Sequence, residues 1–430
     1  MATVFMFALL FSFMAIGVPI GVCLLFPIFL MLIIDPSVTS PQFLTQVLYS
    51  GVADFSKMSL PFFILAGGIM DVGGISKRLV RIANSLVGEV TGSLGTVAVI
   101  ACMFFGAVSG SAPATCAAIG TIMLPEMVRA GYNKYYAVAL ITAAGGLGVI
   151  VPPSYPMVIY GVTNNVPIGD LFIAGLGPAL LVGILLIIVN YIYCKRHGIR
   201  GETKASFKEF LSAMRSGAPA LLMPVIILGG IYSGVFTTTE AAVISCVYGI
   251  LVGLFIYREL KLPKLIELYR SNAIFIGGTM LTMAPASTLG KIFAILGVNR
   301  AIQNLFLSVT ANKYVILLII FGILFVAGMF VQTTPCMVIL SPLMLNVVSS
   351  YGIDPVHFGI TMVLALCIAF ITPPVAANLF VTSSMTGIPI NKIVPKMLPF
   401  MAALIVALIL VGFFPIFSTI FPSLFSLIGG

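Results

Sequence analysis

An apolar chain interrupted twice in the same way has few folds open to it. Val149-Ile150-Val151-Pro152-Pro153 is answered by Phe370-Ile371-Thr372-Pro373-Pro374 at an offset of 221 residues, and at that offset Gly131 meets Gly352, Leu124 meets Leu345 and Ser111 meets Gln332. A slip of one residue then brings Pro167 onto Pro389. Consecutive prolines remove two amide donors and strand the carbonyls of the preceding turn, so no helix runs through them intact. A duplicated apolar unit with a paired interruption near its middle is how many secondary transporters build a site at the bilayer midplane.

Composition sets the solvent in which this must happen. Apolar residues make up 60% of the chain and charged ones 8%, against soluble averages of roughly 45–50% and about 25%. The stretches 4–34, 92–108, 171–193, 217–236, 239–257, 273–297, 314–330 and 397–424 are nearly free of charge. At about 1.5 Å per residue most are long enough to cross a hydrocarbon core of about 30 Å. The sequence thus predicts an all-α polytopic membrane protein with no room for a soluble domain. The N-terminus shows neither a basic leader nor a small-residue cleavage site, which predicts a retained first span.

The net charge of +9 does not indicate nucleic acid, because the basic residues lie in short loops as the positive-inside rule expects. Lys195, Arg196, Arg200, Lys204, Lys208 and Arg215 crowd one linker, and Arg258, Lys261, Lys264 and Arg270 a second. Placing both in the cytoplasm makes the region between them cross twice, turning at Thr237-Thr-Thr-Glu240, where Glu240 suits a helix start. Charge also separates parallel from inverted repeats. Arg129 and Lys134 flank Gly131 whereas Gly352 has only Asp354 nearby; Asp170 alone follows Pro167 whereas Lys392 and Lys396 follow Pro389. The exchange predicts inverted structural repeats with the C-terminus outside, a scheme that Lys291, Arg300 and Lys313 do not follow.

Each half holds two special elements. One is a pair of apolar segments meeting at a small, polar tip, at Val108-Ser-Gly-Ser-Ala-Pro-Ala-Thr115 and at Phe330-Val-Gln-Thr-Thr-Pro335. Each arm is too short to cross alone, which predicts two re-entrant helical hairpins whose tips face inward. The other is the broken helix at each Pro-Pro pair, whose freed carbonyls are hard oxygen ligands suited to Na⁺, with half-helix ends adding their partial charges. A plain kink with close helix packing is the competing reading of either site alone; recurrence at one offset favours paired ion sites. The seven scattered cysteines read as small buried thiols, and His197 and His357 lack zinc spacing. No ATP-binding motif is present, so any driving force is an ion gradient. Asp54, Lys57 and Asp71 read as solvated segment ends, with scaffold or partner contacts as the alternative, and the Phe- and Met-rich stripes as packing or lipid-facing surface.

Together these residues resemble the large membrane subunit of tripartite ATP-independent periplasmic (TRAP) transporters over essentially the whole chain. The most specific pieces are Pro61-Phe-Phe-Ile-Leu-Ala-Gly67, Gly73-Gly-Ile-Ser-Lys-Arg-Leu79, Phe105-Gly-Ala-Val-Ser-Gly-Ser-Ala112, Val151-Pro-Pro-Ser154, Phe236-Thr-Thr-Thr-Glu-Ala-Ala242 and Thr372-Pro-Pro-Val375. The resemblance implies a multi-pass protein of the bacterial inner membrane that works with a small membrane subunit and a periplasmic substrate-binding protein. It implies Na⁺-coupled import of an organic anion, typically a carboxylate, by an elevator in which hairpins and broken helices slide against a scaffold. On that basis residues 1–88 are scaffold helices and a connecting arm, 89–170 the first half of the transport domain, 171–311 scaffold, 312–391 the second half and 392–430 a C-terminal scaffold helix.

Carried over position by position, the resemblance implies one Na⁺ near Ser109, Gly110, Ser111, Gly148, Val151 and Pro152. A second is implied near Thr333, Thr334, Ala369, Thr372 and Pro373. The substrate carboxylate would meet Ser111, Ser154, Thr334 and Asn378. Three positions depart from the family's pattern: Gln332 stands where an acidic residue is frequent, Ala376 where glycine is common, and Thr238 where a proline is usual. Sialic acid is the favoured substrate by general resemblance, with a C4-dicarboxylate or another sugar acid as the alternative. Two other classes stay open. An intramembrane enzyme needs a nucleophile–base pair or metal carboxylates within the spans, and a passive channel conducts without coupling.

Overall fold

The computed structural model of the chain describes residues 6, 8–10, 12–13, 16–34, 40–53, 55–200, 207–374 and 376–428. Met1–Phe5, Asp54, Lys204 and Val375, which figure in the sequence reading, lie outside the described residues. Among those described the structure is helical, without strands. Among the described residues eight helices are long and apolar enough to cross a membrane, or nine when the bent pair Ser59–Val72 and Ile75–Val87 is counted as one span.

The first apolar stretch does not run as one span. It turns at Ile16–Gly17, with Gly17 at φ 83°, and only then enters helix α1 (Ile20–Ile34). Glycine adopts that left-handed backbone without steric penalty, and Pro19 suits the helix start that follows. Helix α2 (Pro41–Ser50) is capped by Ser40, whose side chain accepts the Phe43 N–H. Helices α3 (Ser59–Val72) and α4 (Ile75–Val87) are bent 73° from one another across Gly73-Gly74. Arg78 fixes the bend: its guanidinium bonds the Gly74 carbonyl at 2.6 Å and Glu259 at 2.9 Å, and lies 3.7 Å from the centre of the Tyr257 ring.

A hairpin follows, α5 (Ser93–Ser109) and α6 (Ala112–Arg129). Next comes a broken rod, α7 (Lys134–Gly145), α8 (Leu147–Ile150) and, beyond Pro152-Pro153, α9 (Tyr155–Asn164). Helices α10 (Ile168–His197), α11 (Phe207–Tyr232) and α13 (Leu262–Ile295) make long spans, and α12 (Thr238–Leu251) completes another through the π-helical turn Val252–Ile256. Thr237 and Glu240 close a reciprocal capping box at the start of α12, the role expected of that carboxylate.

After α14 (Val298–Val309) the earlier succession recurs. Hairpin arms α15 (Lys313–Phe330) and α16 (Thr333–Ser350) precede α17 (Pro355–Ala369), which breaks at Pro373-Pro374 before α18 (Ala377–Thr386). Both Pro-Pro bonds are cis. The C-terminal segment is two helices, α19 (Ile390–Phe413) and α20 (Ile416–Ile428), separated at Pro415.

Burial separates these elements. The most apolar window of the rod Lys134–Asn164 is wholly buried within the protein, whereas the windows of α11 and α15 are 28% buried. In α17 every residue from His357 to Ala369 is buried. The broken helices are therefore the core, and the unbroken ones offer a side to lipid. This follows from solvation, because free carbonyls are tolerated only where protein or water reaches them. The halves also interlock: α9 packs on α16 of the second half, and α18 packs on α6 of the first. Around them α1–α4 and α11–α13 form a second bundle in which α3 lies against α12 and α13.

One seam ties the first hairpin to α10. Asn190, fully buried, donates its amide to the Gly92 carbonyl at 2.8 Å, and the Tyr132 hydroxyl accepts the Gly95 N–H at 3.1 Å. A methyl group on Gly95 would collide with the Asn190 side chain. Gly95→Ala is expected to destabilise the protein by about 1–3 kcal/mol through overpacking, and Asn190→Ala by about 1–3 kcal/mol through the orphaned carbonyl. The double variant should lose less than the sum, since the shortened side chain makes room for the methyl. Thermal unfolding of the purified protein in detergent checks all three.

Candidate functional site

The first tip is built by a single left-handed residue. Gly110 (φ 62°) ends α5 and turns the chain so that Ser111, extended, caps α6 by accepting the Ala114 N–H at 3.5 Å. Ser109 Oγ then lies 3.1 Å from Thr115 Oγ1, and Thr115 donates to the Ser111 carbonyl at 2.7 Å. Gly148, from the broken rod, is pressed into this group. A methyl there would strike Thr115 Oγ1 and stand 2.5 Å from the Ser111 carbonyl oxygen. Gly106 allows the approach, since its own Cβ would come within 2.9 Å of the Gly148 Cα. A Cβ on Gly110 would sit 3.0 Å from the Pro153 carbonyl oxygen, so tip and break touch directly.

Ser109, Gly110, Ser111 and Gly148 are thus brought together, with Val151 and Pro152 in the adjoining buried break. Thr115 belongs with them and is fully buried. Its spacing is the available signal: one helical turn beyond Ser111, it returns to the tip. The set offers carbonyl and hydroxyl oxygens only. Among the described residues no three His, Cys, Asp or Glu side chains gather as metal ligands. The cysteines are all buried and free, and His357 is held by Ser418 Oγ at 2.7 Å.

The second tip is drawn differently. Gln332 stands at the start of α16 without a side-chain cap, leaving the first-turn amides of Thr333 and Thr334 open to a ligand. Gly328 lets α15 settle on the end of α17, where a Cβ would lie 2.6 Å from that of Ala369. At the break Thr372 donates to the Ile368 carbonyl at 2.8 Å, and the Phe370 carbonyl accepts the Asn378 N–H at 3.1 Å. Pro373 is half-buried at the same break. Between the two broken rods Thr142 and Thr382 share a hydrogen bond of 2.8 Å, and Asn378 donates to the Thr142 carbonyl at 3.2 Å.

Both tips open on one cavity of about 770 Å³, within the range of small-molecule sites. Ser109, Ser111, Gln332, Thr333 and Thr334 line it from the hairpins, with Tyr155, Phe370, Ala377 and Phe380 from the broken rods. Of the four expected carboxylate donors, Ser111 and Thr334 line this space. Ser154 and Asn378 do not; both are buried, and Ser154 spends its hydroxyl on the Val149 carbonyl at 2.6 Å. The opposite lining comes from α3 and α13 and includes Gly67, Gly68, Asp71 and Asn272. Asp71, exposed at the end of α3 as expected from sequence, also lines this cavity. No Lys, Arg or His lines the cavity among the described residues. Negative charge there meets two helix N-termini, whose free amides and dipoles favour anions.

Relatives of known name extend over the same residues. Residues 7–417 match the family model for the tripartite ATP-independent periplasmic transporter, DctM component. The isethionate TRAP transporter permease protein DctMQ of Oleidesulfovibrio alaskensis is 39% identical over 382 residues, covering 89% of this chain and 60% of that longer protein. The C4-dicarboxylate TRAP transporter large permease protein DctM of Pseudomonas aeruginosa is 38% identical over 340 residues, 79% of this chain and 80% of that one. The sialic acid TRAP transporter large permease protein SiaM of Vibrio cholerae is 36% identical over 409 residues, 95% of this chain and 96% of its own. In fold the chain resembles the crystal structure of the Alcanivorax borkumensis YdaH transporter, with a TM-score of 0.63 over 87% and 88% of the two chains at 14% identity. Relatives named as permeases and eight apolar helices long enough to span make this a multi-pass protein of the inner membrane and not an enzyme. The chain belongs to the DctM family, the large membrane permeases of tripartite ATP-independent periplasmic transporters.

Proposed function

We propose that the chain is the carrier of a Na⁺-coupled importer of organic acids, completed by a small membrane subunit and supplied by a periplasmic substrate-binding protein. One observation supports this reading above the others. Two helix N-termini from opposite halves open on a single cavity that no basic side chain lines among the described residues. An anion there is held by backbone amides and hydroxyls, so its charge is balanced best by cations bound beside the tips.

The first cation would take oxygens from Ser109, Ser111 and Thr115 and from the break at Gly148, Val151 and Pro152, with Gly110 setting the turn. The second would lie at Thr333, Thr334, Ala369, Thr372 and Pro373. Both positions sit where a tip meets a break or a hairpin arm meets a broken rod. Each ion would therefore draw together groups that part in its absence, which couples ion binding to the carboxylate site formed by Ser111 and Thr334. In this reading the repeats are inverted, and the interlocked hairpins and rods move as an elevator past the bundle of α1–α4 and α11–α13. Sialic acid is the favoured cargo, consistent with the relative named for it. Relatives named for a C4-dicarboxylate and for 2,3-diketo-L-gulonate mark the alternatives.

Uptake of labelled sialic acid and of a C4-dicarboxylate into proteoliposomes holding the chain and its small subunit tests the proposal. Uptake of one of them is expected only with an inward Na⁺ gradient and the binding protein; uptake of either without a gradient points to a channel. Thr115→Val and Thr372→Val should each raise the Na⁺ concentration for half-maximal uptake by about tenfold, the equivalent of about 1.4 kcal/mol for one lost ligand. Gly148→Ala, which drives a methyl against the Ser111 carbonyl, should abolish Na⁺-dependent uptake while the protein still reaches the membrane. Unchanged Na⁺ dependence in all three variants would leave the breaks as structural kinks.

A further inference from the structure

The cavity has two walls of opposite electrical character. On one side are the N-termini of α6 and α16 with the hydroxyls of Ser109, Ser111, Thr333 and Thr334. On the other is Asp71, the one carboxylate among the described lining residues, exposed on α3. The walls are close. A Cβ on Gly67 would lie 2.5 Å from the Ser109 carbonyl oxygen, and Asp71 is one helical turn further along the same face of α3, about 6 Å away along the axis. Asn272, from α13, keeps its amide nitrogen against Gly68 with no hydrogen-bond partner.

We propose that Asp71 selects the cargo: the permease takes a monoanion whose far end carries hydroxyl or amine donors, and rejects anions charged at both ends. This rests on the carrier reading above and refines its substrate class. A carboxylate drawn to the helix N-termini points the rest of the molecule at α3. There a hydroxyl or ammonium donates to Asp71, whereas a second carboxylate is placed beside a like charge with no lining cation to offset it. Length does not set the limit, because a cavity of about 770 Å³ admits short and long acids alike. The terminal group does.

Matched acids that differ at one end isolate the effect. D-gluconate and D-glucarate share a six-carbon hydroxylated chain, glycerate and tartronate a three-carbon one, and in each pair only the second is charged at both ends. Their dissociation constants are measured by calorimetry on the purified complex with its small subunit, in saturating Na⁺ and without the binding protein. The wild type should bind the monoanion of at least one pair about tenfold tighter than its dianion, and Asp71→Asn should erase most of that ratio, because it removes the one like charge in the cavity wall. Asp71→Glu should restore it, and a Na⁺ titration of each variant verifies that the tips are intact. A ratio unchanged by Asp71→Asn, a wild type that prefers the dianion, or binding of neither pair would overturn the proposal. Na⁺-driven uptake of a dicarboxylate by the wild type would also overturn it while leaving the carrier reading in place, whereas absence of any Na⁺-dependent uptake would remove the carrier reading itself.

Discussion

Everything in this protein depends on where unpaired backbone oxygens can be kept. Lipid offers them no partner, so a chain with two proline-broken helices and two bare hairpin tips has to surround all four with its own mass. The burial of the most apolar part of the Lys134–Asn164 rod and of His357–Ala369 in α17 is the direct result. The longer helices then have no choice but the periphery, where an apolar side toward lipid costs nothing. Architecture and site thus share a cause, since the groups that demand enclosure are the groups able to hold an ion.

Glycine and threonine divide the labour of enclosure. Gly106 and Gly148 let rod and hairpin approach to backbone contact, and in the second half Gly328 lets α15 settle on the side chains of Leu366 and Ala369. Thr115, Thr142, Thr372 and Thr382 fill the remaining gaps with hydroxyls bonded to carbonyls or to each other. A buried hydroxyl with its own partner is inexpensive to keep and can redirect its lone pairs when a cation arrives.

Much of this was legible in the residues because it is local. Pro-Pro pairs break helices wherever they stand, a Ser before Ala-Pro caps one, and the 221-residue offset aligns both kinds of element. Ser111 and Thr334, which the family resemblance implies as carboxylate donors, both line the cavity. What sequence missed depends on packing between distant segments. Asp71 reads as a polar end of an apolar run until α3 is seen to touch the first tip at Gly67. Nothing near Asn190 announces that it binds Gly92, 98 residues away. The first apolar stretch reads as one span because its composition is uniform, although Gly17 and Pro19 punctuate it.

The exchange of partners between halves, α9 against α16 and α18 against α6, makes the core a reciprocal frame. In such a frame each short member rests on one belonging to the other set, and no member stands on its own base. Each half therefore has a short helix seated on a hairpin arm of the other, and neither surface is complete without its counterpart.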